Sequence, residues 1–268
     1  MRYYPLIADL NNWGVDLIHA DMDTAAFFFR ASLDLSKALL FGGENDIQPL
    51  TLSSLSSHLV EAQTSVQSLA QLWGENSFPC AVTGTGSTGS FLEDSSPRMF
   101  HSAFVQPMRM KERLEAYSDD PLVGSSMATV IMMFNMAVIS HFHGQETEEN
   151  GSNDISLARA ADLNTARLFY RKALSVLNLI GLPSNSTSGC ADIDLISMAI
   201  HNNLAQIAYR FYEYRQASTY CELLMELCTT VRCHDYDEMT SSRLASYCSS
   251  FLLNALHLSQ PPTAAASA

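Results

Sequence analysis

HNNLAQIAY, residues 201–209, is the stretch on which the fold turns. In it Asn203 is followed by a bulky apolar residue, Leu204, and then by a small one, Ala205. The same order recurs in LNNWGVDLI at 10–18, as Asn12-Trp13-Gly14, and in MFNMAVISH at 133–141, as Asn135-Met136-Ala137. Each stretch lies in a helical pattern, and each is followed by a second helix with small and aromatic residues at intervals of four and three. Ala217, Cys221 and Leu224 hold those places after the last copy, and Ala166, Tyr170 and Ala173 after the middle one. Ala25, Phe29 and Ser32, one residue early, hold them after the first. A small residue in one helix lets its neighbour approach closely, and the ring one turn on fills the groove between them. The three copies therefore predict helical hairpins over 7–41, 121–181 and 193–232.

Working outward, helical periodicity continues and strand-like alternation is scarce. Gly42-Gly43 reads as the stop of the first hairpin. Residues 50–73 form a long amphipathic helix in which Leu52, Leu55, Leu59, Ala62, Val66, Leu69 and Trp73 follow a three-four spacing over three heptads. Residues 74–98 are rich in Gly, Ser, Thr and Pro and read as a flexible loop. Phe100 to Met110 holds a short extended run ending around Pro107. Asp120-Pro121 supplies an N-cap and first helical residue for a helix reaching His143 and stopping at Gly144. An acidic insert, QETEENGSND, interrupts the middle hairpin. A capping helix over 237–258 precedes Pro261-Pro262, and 259–268 reads as a disordered tail. The fold class is all-α.

Composition narrows the functional classes. The chain has 268 residues, 47% of them apolar and 16% charged. That is too apolar for overall disorder and less charged than the ~25% usual in soluble domains. The net charge of −13 is spread over both halves. Basic residues cluster only at Arg109, Lys111 and Arg113, so neither nucleic acid nor an anionic membrane surface is an expected partner. Pro121 to Gln145 is uncharged, but its strongly apolar part, Met127 to Ile139, falls short of the ~20 residues a bilayer span needs. A buried helix is the expectation. The N-terminal MRYYPLIADLNN lacks the apolar core of a secretory signal, which points to a cytoplasmic protein with free thiols.

Motifs that would carry chemistry lack their context. GTGSTG at 84–89 matches a dinucleotide-binding pattern, yet Pro79 precedes it and Glu93, Asp94 and Pro97 follow, with no helix to present amides to a phosphate. Cys221 and Cys228 share a helix face near Cys233-His234, but no CxxC pair is present, and buried packing is the reading. His141 and His143 point ~200° apart on a helix and cannot share a metal. No catalytic nucleophile or paired carboxylates are recognisable. No enzyme, no cofactor and no metal are expected. The heptad run at 51–73 carries one charge, Glu61, so it reads as laid against its own chain. The other reading is a dimer seam, with a structural or self-associating role.

On its Asn-bulky-small motifs the chain resembles the tetratricopeptide repeat (TPR), and NNLA with Tyr214 and Ala217 resembles the kinesin-light-chain variety. Taken whole, it is similar to TPR-like proteins of unicellular algae. The resemblance covers 7–41, 121–181 and 193–232. With 68 residues separating Ala137 from Ala205, against ~34 in a regular repeat, it implies an irregular α-solenoid. It also implies a non-catalytic scaffold whose concave face binds a protein or peptide, as a monomer or a homodimer. Counting back three from each small residue gives Asn11, Phe134 and Asn202, positions that face the concave side in that family. Gln206, Tyr209 and Arg210 continue the stripe from Asn202. The amides of Asn11, Asn202 and Gln206 would clamp an extended peptide backbone, and Asn202 is expected to be solvent-facing when no ligand is bound.

Overall fold

The computed structural model describes residues 4–18, 20–41, 104, 106–111, 121–145, 157–180, 191–231, 236 and 238–259. The heptad run 51–73, the glycine-rich stretch 74–98, the Gly42-Gly43 stop, the acidic insert and the tail beyond 259 lie outside them. Seven helices are present among the described residues: α1 (Tyr4–Leu17), α2 (Met22–Phe41), α3 (Pro121–Gln145), α4 (Leu157–Ile180), α5 (Ala191–Arg210), α6 (Tyr214–Val231) and α7 (Glu238–Leu258). They pack as antiparallel pairs, α1 with α2, α3 with α4 and α5 with α6, and α7 lies against both α5 and α6. Two compact units result. One comprises Met1–Ser95 with Met108–Arg113, the other Ser96–Pro107 with Leu114–Ala268.

In the first unit, Asp21 caps α2. Its carboxylate accepts the Thr24 N–H at 3.0 Å and the Thr24 hydroxyl at 2.6 Å, satisfying a donor that helix geometry leaves open. Those bonds hold the Asp21 pKa below the usual carboxylate range. Gly14 is where α1 and α2 come closest. A Cβ on it would stand 2.6 Å from Phe29 Cε1, so the ring occupies the space that a larger residue would need. One turn further along α2, the buried Ser32 hydroxyl donates to the Ile7 carbonyl of α1 at 2.8 Å. Trp13 meets Phe28 edge-on at 5.9 Å.

The second unit repeats that logic with other side chains. Leu163, Ala166, Tyr170, Ala173 and Leu177 are the buried stripe of α4, and Ala217, Cys221, Leu224, Cys228 and Val231 that of α6. The positions at four-three spacing thus lie on the buried face of α2, α4 and α6. α5 is buried on nearly every side from Ile193 to Ala208. α3 is long and apolar enough to cross a membrane, but 72% of its most apolar window is buried inside the protein, so most of that surface meets other protein atoms. Gly144 lies in the last turn of α3, one residue before its end at Gln145. A Cβ there would fall 2.6 Å from Leu163 Cγ, so this glycine serves close packing against α4. α5 ends with the Glu213 N–H donating to the Ala208 carbonyl at 2.9 Å and the Tyr212 N–H to the Tyr209 carbonyl at 3.0 Å. Tyr212 holds the left-handed position of that cap at φ 60°, a place usually taken by glycine.

Candidate functional site

The doublets Asn11-Asn12 and Asn202-Asn203 are built alike. In each, the first asparagine donates from Nδ2 to Oδ1 of the second, at 3.3 Å in α1 and 3.2 Å in α5. The second then grips one residue of a non-helical segment by both its backbone groups. Asn203 Oδ1 accepts the Phe104 N–H at 2.7 Å, and Asn203 Nδ2 donates to the Phe104 carbonyl at 2.8 Å. Asn12 treats Met110 in the same way, at 2.7 Å and 3.1 Å. Residues 106–111 run on without helix, turn or bend. Pro107 favours this, since it fixes its own φ and pushes its predecessor towards extended geometry.

In the second unit the clamp stands on a buried polar chain. Asn203 Nδ2 also donates to the Tyr170 hydroxyl at 2.8 Å. His141 Nδ1 lies 3.4 Å from that hydroxyl, and its Nε2 lies 3.2 Å from the Gln145 amide nitrogen. Gln145 in turn donates to Gln206 at 3.3 Å. Burial, reinforced by the charge of Arg210, pushes the His141 pKa down to about 3, so the imidazole is neutral at physiological pH. Burial also raises the Tyr170 pKa, partly offset by the bond from Asn203. Every hydrogen-bonding valence of the Asn203 carboxamide is thereby used: two donors and two acceptors.

Beside the clamp, the Phe104 ring is surrounded by aromatics. Tyr247 is edge-on at 5.6 Å, Phe251 lies at 5.7 Å and Phe134 at 6.3 Å. Tyr247 also reaches Gln106, hydroxyl to amide oxygen, at 3.4 Å. In the first unit, Asn11 donates to the Met108 carbonyl at 3.1 Å and the Tyr4 hydroxyl to the Lys111 carbonyl at 2.8 Å. Arg109 pairs with Asp16. Burial raises the Asp16 pKa, and the Arg109 charge partly counters this.

The expected stripe is divided. Asn11, Asn202 and Gln206 are buried, at 0%, 1% and 3% exposure, and are bonded within the protein. Asn202 Oδ1 accepts from Asn254 of α7 at 3.0 Å. The expectation that Asn202 faces solvent is therefore corrected: α7 covers it. Tyr209 is half-buried and edge-on to Tyr214 at 5.3 Å, and Arg210 is exposed. Phe134 is fully buried and belongs to the ring nest. The residues that grip backbone, Asn12 and Asn203, are those of the repeated motif itself, one position after the ones singled out. The doubled asparagine was their available signal.

Cys228 and Cys248 both place Sγ 3.6 Å from Met198 Sδ in the core. Burial pushes the Cys221 thiol up to about 11, which leaves it protonated and unreactive. Among the described residues, no three His, Cys, Asp or Glu side chains come together as a metal site would require. The class that fold and site define is an all-α protein of antiparallel helix pairs with asparagine clamps on the non-helical residues Phe104 and Met110. No protein-family model, curated protein or solved structure matches the chain.

Proposed function

We propose that the protein is a non-catalytic scaffold that binds a protein or peptide in extended form along TPR-like hairpins of an irregular helical array. The observation that supports this most is the paired grip of Asn203 on Phe104, with its counterpart of Asn12 on Met110. A carboxamide bonded to the N–H and C=O of one residue replaces the neighbouring strand that an extended chain would otherwise need. It reads backbone and not side chain, the kind of recognition that peptide-binding surfaces reuse. The acidic surface favours protein over nucleic acid as partner.

A displayed random-peptide library tests this reading. The selection is run on the Phe104→Ala chain, which lacks the ring that seats the resident segment beside the clamp, and on the same chain carrying Asn203→Ala. Enrichment on the first that disappears on the second is the expected result. Enrichment that ignores Asn203, or none on either chain, would contradict the reading.

A further inference from the structure

We propose that the site formed by Asn203, Phe134, Tyr247 and Phe251 is a recognition subsite for an aromatic residue on an extended partner peptide, and that Phe104 is its resident stand-in. This rests on the scaffold reading above and adds the partner's chemistry. Backbone bonds from Asn203 set where the peptide lies but cannot choose among sequences. The choice falls to the three rings around Phe104, whose tilted and edge-on orientations suit another aromatic side chain.

Each residue lining the subsite also has a partner other than Phe104. Asn203 is held by Tyr170 and Asn202. Phe134 leans on Tyr170 at 5.8 Å, and Tyr247 stacks on Phe251 at 6.4 Å. Phe134 and Phe251 are buried. Such preorganisation lowers the cost of accepting a ligand. The resident residues Phe104 and Gln106 are only half-buried. When they leave, one donor and one acceptor open on Asn203, and an incoming extended backbone restores both. At Asn203 the exchange therefore conserves hydrogen bonds. Because the resident is tethered in the same chain, a partner must compete against a high effective concentration.

The test uses the full chain and a fluorescent peptide, FHSAFVQPMRMK, of the sequence at 100–111, with a second peptide carrying Ala in place of its second Phe. Anisotropy should show the Phe104→Ala chain binding the first peptide at least about tenfold tighter than wild type, since the competent fraction rises. The alanine peptide should bind about tenfold more weakly than the first. Equal binding by both chains, or of both peptides, would overturn the proposal. Should Phe104→Ala fail to fold, wild type serves. Excess aromatic peptide should speed hydrogen exchange at the Phe104 amide, the alanine peptide should not, and unchanged exchange overturns the proposal. A wild-type dimer by light scattering that the peptide dissociates would assign the site to a second copy of the chain and overturn the partner assignment. Library peptides that depend on Asn203 but carry no aromatic residue would overturn this inference and leave the scaffold reading intact. The absence of any Asn203-dependent peptide would remove both.

Discussion

Asn203 and Phe104, 99 positions apart in sequence, exchange two hydrogen bonds of 2.7 Å and 2.8 Å, side chain to backbone. The same carboxamide joins α5 to Tyr170 on α4. Asn203→Ala leaves the Tyr170 hydroxyl and both Phe104 backbone groups short of a partner. We expect a stability loss of about 2–3 kcal/mol by urea denaturation, the scale of several buried polar groups left partly unpaired. A loss below about 0.5 kcal/mol would mean that water replaces the carboxamide freely.

Asn202→Ala should also destabilise, by about 1–3 kcal/mol, because Asn254 Nδ2 loses its acceptor and Asn203 Oδ1 loses a donor. Exposed sites stay within about 0.5 kcal/mol of neutral, so the size of the change separates the buried placement from a solvent-facing one. Adding Asn254→Ala should cost much less than the two single losses summed, the mark of a shared bond.

The packing of the hairpins was legible because it depends on local volume. Gly14 before Phe29, and Ala166, Tyr170 and Ala173 along one face of α4, carry their meaning within one or two helical turns. The partners of the asparagines were not. Neighbouring helix positions differ by ~100° in direction, so a one-residue choice between Asn202 and Asn203 changes which element each one meets. What each meets, α7 at Asn254 or the segment at Phe104, lies 52 or 99 residues away, and no periodicity encodes it. Gly144 shows the same limit. A glycine near a helix end reads as a stop, while its packing role depends on Leu163, beyond the acidic insert.

Acid should weaken the fold through His141. Its folded pKa is depressed to about 3 from the usual 6.5. Between those values the unfolded chain binds a proton that the folded one refuses, so stability falls as pH drops below ~6.5. Each unit corresponds to about 1.4 kcal/mol, giving about 2 kcal/mol lost from pH 7 to pH 5. His201, whose pKa burial also lowers, acts in the same direction. The check is a urea series at each pH on wild type and His141→Leu. The variant should show a shallower slope, and identical slopes would contradict the buried neutral imidazole.

Gly14→Ala sets two effects against each other. Alanine favours a helix interior by ~1 kcal/mol over glycine, but its Cβ would press on Phe29, whose ring is fully buried. Overpacking of a closed core costs about 1–3 kcal/mol, so a net loss of about 1 kcal/mol is expected in thermal or urea unfolding. Pairing it with Phe29→Leu should recover part of the clash cost. A stabilised Gly14→Ala single variant would show that α1 and α2 are less closely packed.

The claim that asparagine clamps hold Phe104 and Met110 is tested most directly by residue-resolved amide hydrogen exchange at these two residues. In wild type both amides should be protected well beyond unstructured-chain rates, since each donates to a side-chain oxygen at 2.7 Å. Asn203→Ala should release Phe104, and Asn12→Ala should release Met110. A Phe104 amide that exchanges at the unstructured rate in wild type, or one whose protection survives Asn203→Ala in a folded chain, would contradict the account.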